Sequence, residues 1–252
     1  AAALEPARQT AGDFYDVIPL PNGRFGLVLA DVADKGMGAA LYMALSRTLV
    51  RTYTLEYHTR PDLAMRIINR RLQMDTDVTM FVTVFYGILD PTRGQLTYCN
   101  AGHNPPYILR PGSRQEIETL RGTGMALGAM QGVSWKQCTV QLAPGDTLVL
   151  YTDGVTDAQN ADGAFFGRER LLEVIEGNSG HSAWEIRDTL LRAVQVFTGE
   201  TSQFDDVTLM IAVRDTAGKT LRSPARSPEP HALDGGYGDP GSTDSLRAED
   251  YT

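Results

Sequence analysis

Aspartates stand at four places where apolar runs of this chain begin or end. Asp31 closes Phe25 to Ala30, FGLVLA, which carries no polar side chain, and Asp153 follows Thr147 to Tyr151, TLVLY, by two residues. Asp13 immediately precedes Phe14 to Leu20, and the pair Asp205 and Asp206 precedes Val207 to Val213. Runs of this length and composition suit buried strands. In antiparallel neighbours the end of one strand lies beside the start of the next, so ending and starting acids gather at one sheet edge. Unpaired carboxylates brought together raise one another's pKa, and a bound divalent cation is the usual compensation. Such an ion, held by oxygen ligands, can activate water for hydrolysis. One aspartate after a strand would more simply cap a turn or a helix.

The elements that must position these acids can be read in order. Ala1 to Thr10 holds a short edge strand, weakened by Pro6, and Asp13 to Leu20 pairs with Arg24 to Asp31 over the turn Pro21, Asn22, Gly23. A helix is predicted from about Gly36 to about Tyr57, mostly buried, with Leu41, Leu45 and Leu49 on one stripe and Met37 and Met43 as core filling. A second begins near Pro61 and presents Leu63, Ile67, Ile68 and Leu72. Phe81 to Leu89 and Gln95 to Asn100 form a hairpin that Pro105 and Pro106 break before Tyr107 to Arg110, and weaker strands cover Glu116 to Leu120 and Ser134 to Leu142. A polar loop follows Asp153, then a helix near Arg168 to Ile175. Ser182 with Glu185 makes a capping box for a helix packed through Ile186, Leu190, Leu191 and Val194. Val207 to Val213 is a central strand. Strands in runs and helices in pairs argue for an α+β fold of antiparallel sheets with helices stacked outside.

With 252 residues and 42% hydrophobic residues, the chain suits one domain, 1–214, followed by a tail, 215–252. The tail holds five glycines, four prolines and four serines in 38 residues without apolar periodicity, so it is predicted to be disordered. A net charge of -8 leaves no basic footprint for nucleic acid or an anionic membrane surface. Cys99 and Cys138 are too few for a disulfide framework, which favours a reducing cytoplasm, and no apolar run approaches 18 residues.

The stretches GDFYD (Gly12 to Asp16), LADVADKG (Leu29 to Gly36), MFVTVFYGILD (Met80 to Asp90), NAGHNPP (Asn100 to Pro106), LYTDGVTDA (Leu150 to Ala158) and FDDVTL (Phe204 to Leu209) follow one another in this chain. On these motifs, over about residues 6 to 213, it resembles the metal-dependent protein phosphatases (PPM family), specifically the bacterial SpoIIE-like, RsbU-like branch. The resemblance implies a four-layer α-β-β-α sandwich of two antiparallel sheets flanked by helices. It implies two Mn2+ or Mg2+ ions. Asp31 would bridge both, the Val32 carbonyl would hold the second, Asp153 with Asp205 would complete the first, and Asp13 would serve the second directly or through a water. Asp31 and Asp153 would act through a metal-activated water, without a covalent phosphoenzyme. Asp206 is the runner-up to Asp205, since adjacent strand residues point to opposite faces. The implied activity is a serine/threonine protein phosphatase. Its implied partners are a phosphoprotein substrate, commonly a STAS-type anti-sigma factor antagonist in partner-switching signalling, and an upstream sensory domain in the same chain.

The chain also departs from the family pattern. Val32 and Ala33 stand where eukaryotic members have Gly and a His proposed as general acid, and Asp34 adds a charge beside the site. Two other functions compete: a catalytically weak pseudo-phosphatase that binds or scaffolds a phosphoprotein, and a hydrolase of small phosphoesters, for which no nucleotide-cradling glycine loop is present. His103, at a hairpin end rich in turn formers, reads as structural or surface rather than catalytic. Asp16 and Asp157 read as capping or solvated, and Phe165 and Phe166 as loop packing or a partner contact. Deleting Asp215 to Thr252 should leave the thermal midpoint within about 5 °C of the full chain in a melting experiment, because the segment has no apolar face to bury.

Overall fold

A computed structural model describes residues 1–75, 80–112 and 116–215. All but the first residue of the predicted tail, and Ser223 and Ser227 within it, lie outside the described residues. The first sheet is built from β2 (Phe14–Leu20), β3 (Arg24–Val32), β4 (Val82–Asp90), β5 (Gln95–Ala101) and β8 (Cys138–Gln141), in the order β2-β3-β4-β5-β8. The second contains β1 (Ala2–Glu5), β6 (Tyr107–Arg110), β7 (Glu116–Thr119), β9 (Thr147–Tyr151) and β10 (Val207–Val213), in the order β1-β10-β9-β6-β7. Every pairing is antiparallel.

The period-2 alternation of the strands explains the layering. Along β3, Val28, Ala30 and Val32 join one core cluster, while Leu27 and Leu29 join another. The first cluster also holds Tyr42 and Val50 of α1 (Met37–Glu56) and Ala64, Met65, Ile68 and Leu72 of α2 (Pro61–Asp75). Leu27 and Leu29 instead meet Ile108, Leu148, Leu150 and Met210 of the other sheet. Beyond that sheet, Leu171 and Ile175 of α4 (Gly167–Gly177) and Ile186, Leu190 and Val194 of α5 (Ala183–Thr198) cover Val149, Leu209 and Ile211. The result is the α-β-β-α order. The Ser182 hydroxyl accepts from Glu185 N–H while the Glu185 carboxylate accepts from Ser182 N–H, so the predicted capping box forms.

Several expectations change. The buried stripe of α1 is Ala39, Tyr42, Ser46, Val50 and Thr54, with Met43, Leu45 and Leu49 partly buried against it. Leu41 and Met37 are 67% and 69% exposed, so Met37 fills no core and the helix is not mostly buried. An apolar face wider than one stripe leaves its rotation undetermined until a sheet meets it. On α2, Ala64 and Met65 are buried while Leu63 and Ile67 lie toward the rim. The polar loop after Asp153 begins with one helical turn, α3 (Asp153–Thr156), whose Gly154 and Val155 are buried. The strand predicted over Ser134 to Leu142 forms only at Cys138–Gln141, while the Trp135 indole N–H donates to the Met125 carbonyl. Phe166 is buried against Phe197, edge to face, and Phe165 is exposed.

Candidate functional site

The alternation that buries Leu27 and Leu29 between the sheets carries Asp31 to the same face at the end of β3. Asp31 pairs across the ladder with Thr83 of β4. Asp153 opens α3 immediately beyond β9, and Asp13 lies just before β2. On β10 the parity of Met210 and Thr208 takes Asp206 inward, and Asp205 faces the other way.

Electrostatics shows which acids share a field. Burial raises the Asp31 carboxyl to about 6, with Asp153 and then Asp205 adding to the rise, and a hydrogen bond from Asp13 opposing it. Burial also raises Asp153, reinforced by Asp205 and Asp157. Asp13 is pushed up to about 9 by burial and by the Asp31 charge. Two hydroxyls donate to Asp13 Oδ2, Thr152 at 2.8 Å and Thr208 at 2.5 Å. The four predicted acids therefore share one end of the sandwich, with Asp13 as a buried, hydroxyl-clamped member behind Asp31.

Asp206 has a different occupation. Its carboxylate accepts from the backbone N–H of Ala7 (2.8 Å), Gly12 (2.6 Å) and Asp13 (3.3 Å), which ties the segment leading into β2 onto the start of β10. Those three N–H groups account for both of its oxygens, whereas Asp205 accepts from the Asp206 N–H and adds its charge to the field at Asp31 and Asp153. A cavity of about 20 Å³, room for about one water, is walled by Asp31, Val32, Asp34, Lys35, Asp205 and Asp206.

Lys35 is a member of this site that sequence reasoning missed. Its ammonium lies 2.9 Å from Asp205 and donates to the Phe204 carbonyl at 2.7 Å. The available signal was a lone cation following Asp31 and Asp34 in an otherwise acidic stretch. Asp34 takes φ 114, a region that costs a non-glycine residue strain, and its carboxylate accepts from the Lys35 N–H. Of the remaining sequence candidates, Asp16 lies away from the cluster and pairs with Arg51 at 2.6 Å, and Asp157 accepts from the Thr156 hydroxyl. His103 is buried rather than on the surface, with Nδ1 2.8 Å from the Thr83 hydroxyl.

The donor set suits a hard divalent cation, since every donor is oxygen and the acids repel one another. Among the described residues no group of three or more His, Cys, Asp or Glu side chains is arranged to hold an ion alone. Ions at this edge would keep much of their water, as Mg2+ does.

Two outcomes follow. Asp206→Ala leaves three backbone donors without their charged acceptor and should cost on the order of 3 kcal/mol, measured by urea unfolding, whereas Asp205→Ala at the half-exposed rim should cost far less. The second concerns pH. Burial pushes the His103 imidazole down to about 4, the Tyr151 backbone opposing. Between the unfolded value near 6.5 and about 4 the unfolded chain takes up a proton that the fold refuses, so stability falls as pH falls through that window. This one group should contribute on the order of 3 kcal/mol of loss, and His103→Gln should remove that part of the slope in unfolding measured from pH 7 to 4.

The profile of the Stage II sporulation protein E (SpoIIE) family matches residues 21–215, a span that includes Asp31, Val32, Asp153 and Asp205. Protein IcfG of Synechocystis sp. is 34% identical over 85% of this chain, and the phosphoserine phosphatase RsbU of Bacillus subtilis is 32% identical over 83%. The matched regions span 37% and 61% of those relatives' own lengths. The fold is shared with the SiaA PP2C domain of Pseudomonas aeruginosa, with a TM-score of 0.74, 22% identity and 84% of each chain covered. With the family's profile spanning most of the chain, the chain belongs to the Stage II sporulation protein E (SpoIIE) family, and it shares the fold of a PP2C domain.

Proposed function

We propose that this domain, residues 1–214, is a metal-dependent serine/threonine protein phosphatase of the cytoplasm that hydrolyses a phosphoprotein, a STAS-type anti-sigma factor antagonist in partner-switching signalling. The observation that carries the reading is the gathering of Asp31, Asp153 and Asp205 from separate strand ends into one electrostatic unit, with Asp31 raised to about 6. Likeness to a relative named phosphoserine phosphatase RsbU supports the reaction. Among the described residues no helix is long and apolar enough to cross a membrane.

Two Mn2+ or Mg2+ ions would be held by Asp31, the Val32 carbonyl, Asp153 and Asp205, with Asp13 behind them, and would supply an activated water and neutralise phosphate charge. The chain's own residues prepare that edge. The Thr152 and Thr208 hydroxyls hold Asp13 in place behind Asp31. Asp206 fixes the segment that carries Asp13. Lys35 balances Asp205 at the rim and offers an ammonium to an arriving phosphate oxygen.

Hydrolysis of a phosphoserine peptide should require added Mn2+ or Mg2+ and stop with a chelator. Asp31→Asn and Asp153→Asn should each lower kcat on the order of 10²-fold or more while the thermal midpoint stays within a few degrees, since each removes a ligand without core volume. Peptide binding without turnover would instead establish a scaffolding pseudo-phosphatase, and turnover of an aryl phosphate but no phosphopeptide would establish a small-phosphoester hydrolase.

A further inference from the structure

The NAGHNPP stretch carries the chain from β5 of one sheet to β6 of the other, and nothing in the proposed chemistry uses it. Three contacts fix its course. The His103 N–H donates to Asn100 Oδ1 at 2.8 Å, the Thr123 hydroxyl accepts from the Asn100 N–H, and Gly102 takes φ 70 where a Cβ would lie 2.8 Å from the Ala126 nitrogen. The His103 side chain is thereby placed between the sheets with 4% of its surface exposed.

One end of the ring is satisfied by the first sheet. Nδ1 lies 2.8 Å from the hydroxyl of Thr83, the residue paired with Asp31, and that hydroxyl is also 3.4 Å from the Asp31 carbonyl. The other end meets a gap in the second sheet. The Thr152 N–H donates to the Thr208 carbonyl, so Thr152 turns its backbone groups toward β10, and the neighbouring Tyr151 turns its own toward β6. The β6 to β9 register of Tyr107 with Val149 would place residue 105 opposite Tyr151, and Pro105 has no N–H to give. The His103 ring lies beside the Tyr151 backbone at this gap, close enough for that backbone to act on the ring's titration, and Nε2 has no hydrogen-bond partner among the described residues.

We propose that His103 is a positioning residue that sets the separation of the two strand ends carrying Asp31 and Asp153, one through Thr83 and the other through Tyr151. This rests on the reading of Asp31 and Asp153 as ligands. The ring is rigid and neutral and lies between the sheets beside the flexible side-chain contacts of Asp13, Asp206 and Lys35, so it holds a distance that those contacts and apolar packing leave adjustable.

The test is Mn2+ affinity by titration calorimetry on the purified chain, with melting curves alongside. Thr83→Val keeps shape and strand preference but removes the hydroxyl, and His103→Gln replaces the rigid ring with a flexible amide. Each should raise the Kd for Mn2+ about tenfold or more. Their combination should be little worse than either alone, and Thr83→Ser, which keeps the hydroxyl, should bind within about threefold of the wild type. If wild type and both variants bind Mn2+ alike while only the melting point falls, the ring merely fills space and the proposal is overturned. If the wild type binds no Mn2+ at all, the metal-dependent reading fails first and takes this proposal with it.

Discussion

Like charge gathered at the end of an apolar layer is the constraint on which the rest of this structure depends. The side chains that hold the two sheets together, Leu27 and Leu29 against Leu148, Leu150 and Met210, give way to acids within one step of the strand alternation. Those acids are close enough to raise one another and too buried to be relieved by solvent alone. Without further support the sheets would part at this end, since repulsion there opposes the attraction of the layer behind it.

The support is polar and specific. Thr152 and Thr208 clamp Asp13, Asp206 gathers three backbone donors, Lys35 neutralises Asp205, and His103 stands between the sheets. Each contact joins segments far apart in sequence, so the edge can form only once both sheets are folded and docked. Strain is also concentrated here. Asp34 takes a positive φ between the Val32 carbonyl and the start of α1, a cost that the surrounding loop must over-determine.

The opposite face of α1 shows the other side of this economy. Met37 and Leu41 remain exposed although the helix has a full buried stripe on its sheet. The buried stripe itself is unusually polar, with Ser46 and Thr54 among its members, the Thr54 hydroxyl donating to the Val50 carbonyl within the helix. A helix whose core face holds small and hydroxylated residues packs closely on the sheet but gains less from burial than one lined with leucine.

Much of this protein was legible in its sequence because the decisive signals are local. Strand alternation, the Pro21, Asn22, Gly23 turn and the Ser182 and Glu185 capping box each depend on neighbours a few residues apart. The acids at the strand ends were visible for the same reason, since each is set by the run beside it. What sequence left open was every choice between faces: which side of α1 meets the sheet, whether Asp205 or Asp206 turns inward, and whether His103 is surface or core. Such choices depend on which surface another element presents, and only the docked sheets decide that. The tertiary structure turned Asp206 onto the amides of Ala7, Gly12 and Asp13, brought Lys35 to Asp205 across 169 intervening residues, and enclosed His103 against the Thr83 hydroxyl. None of these contacts is encoded within any one stretch, because each is made by two segments that chain topology, not sequence proximity, brings together.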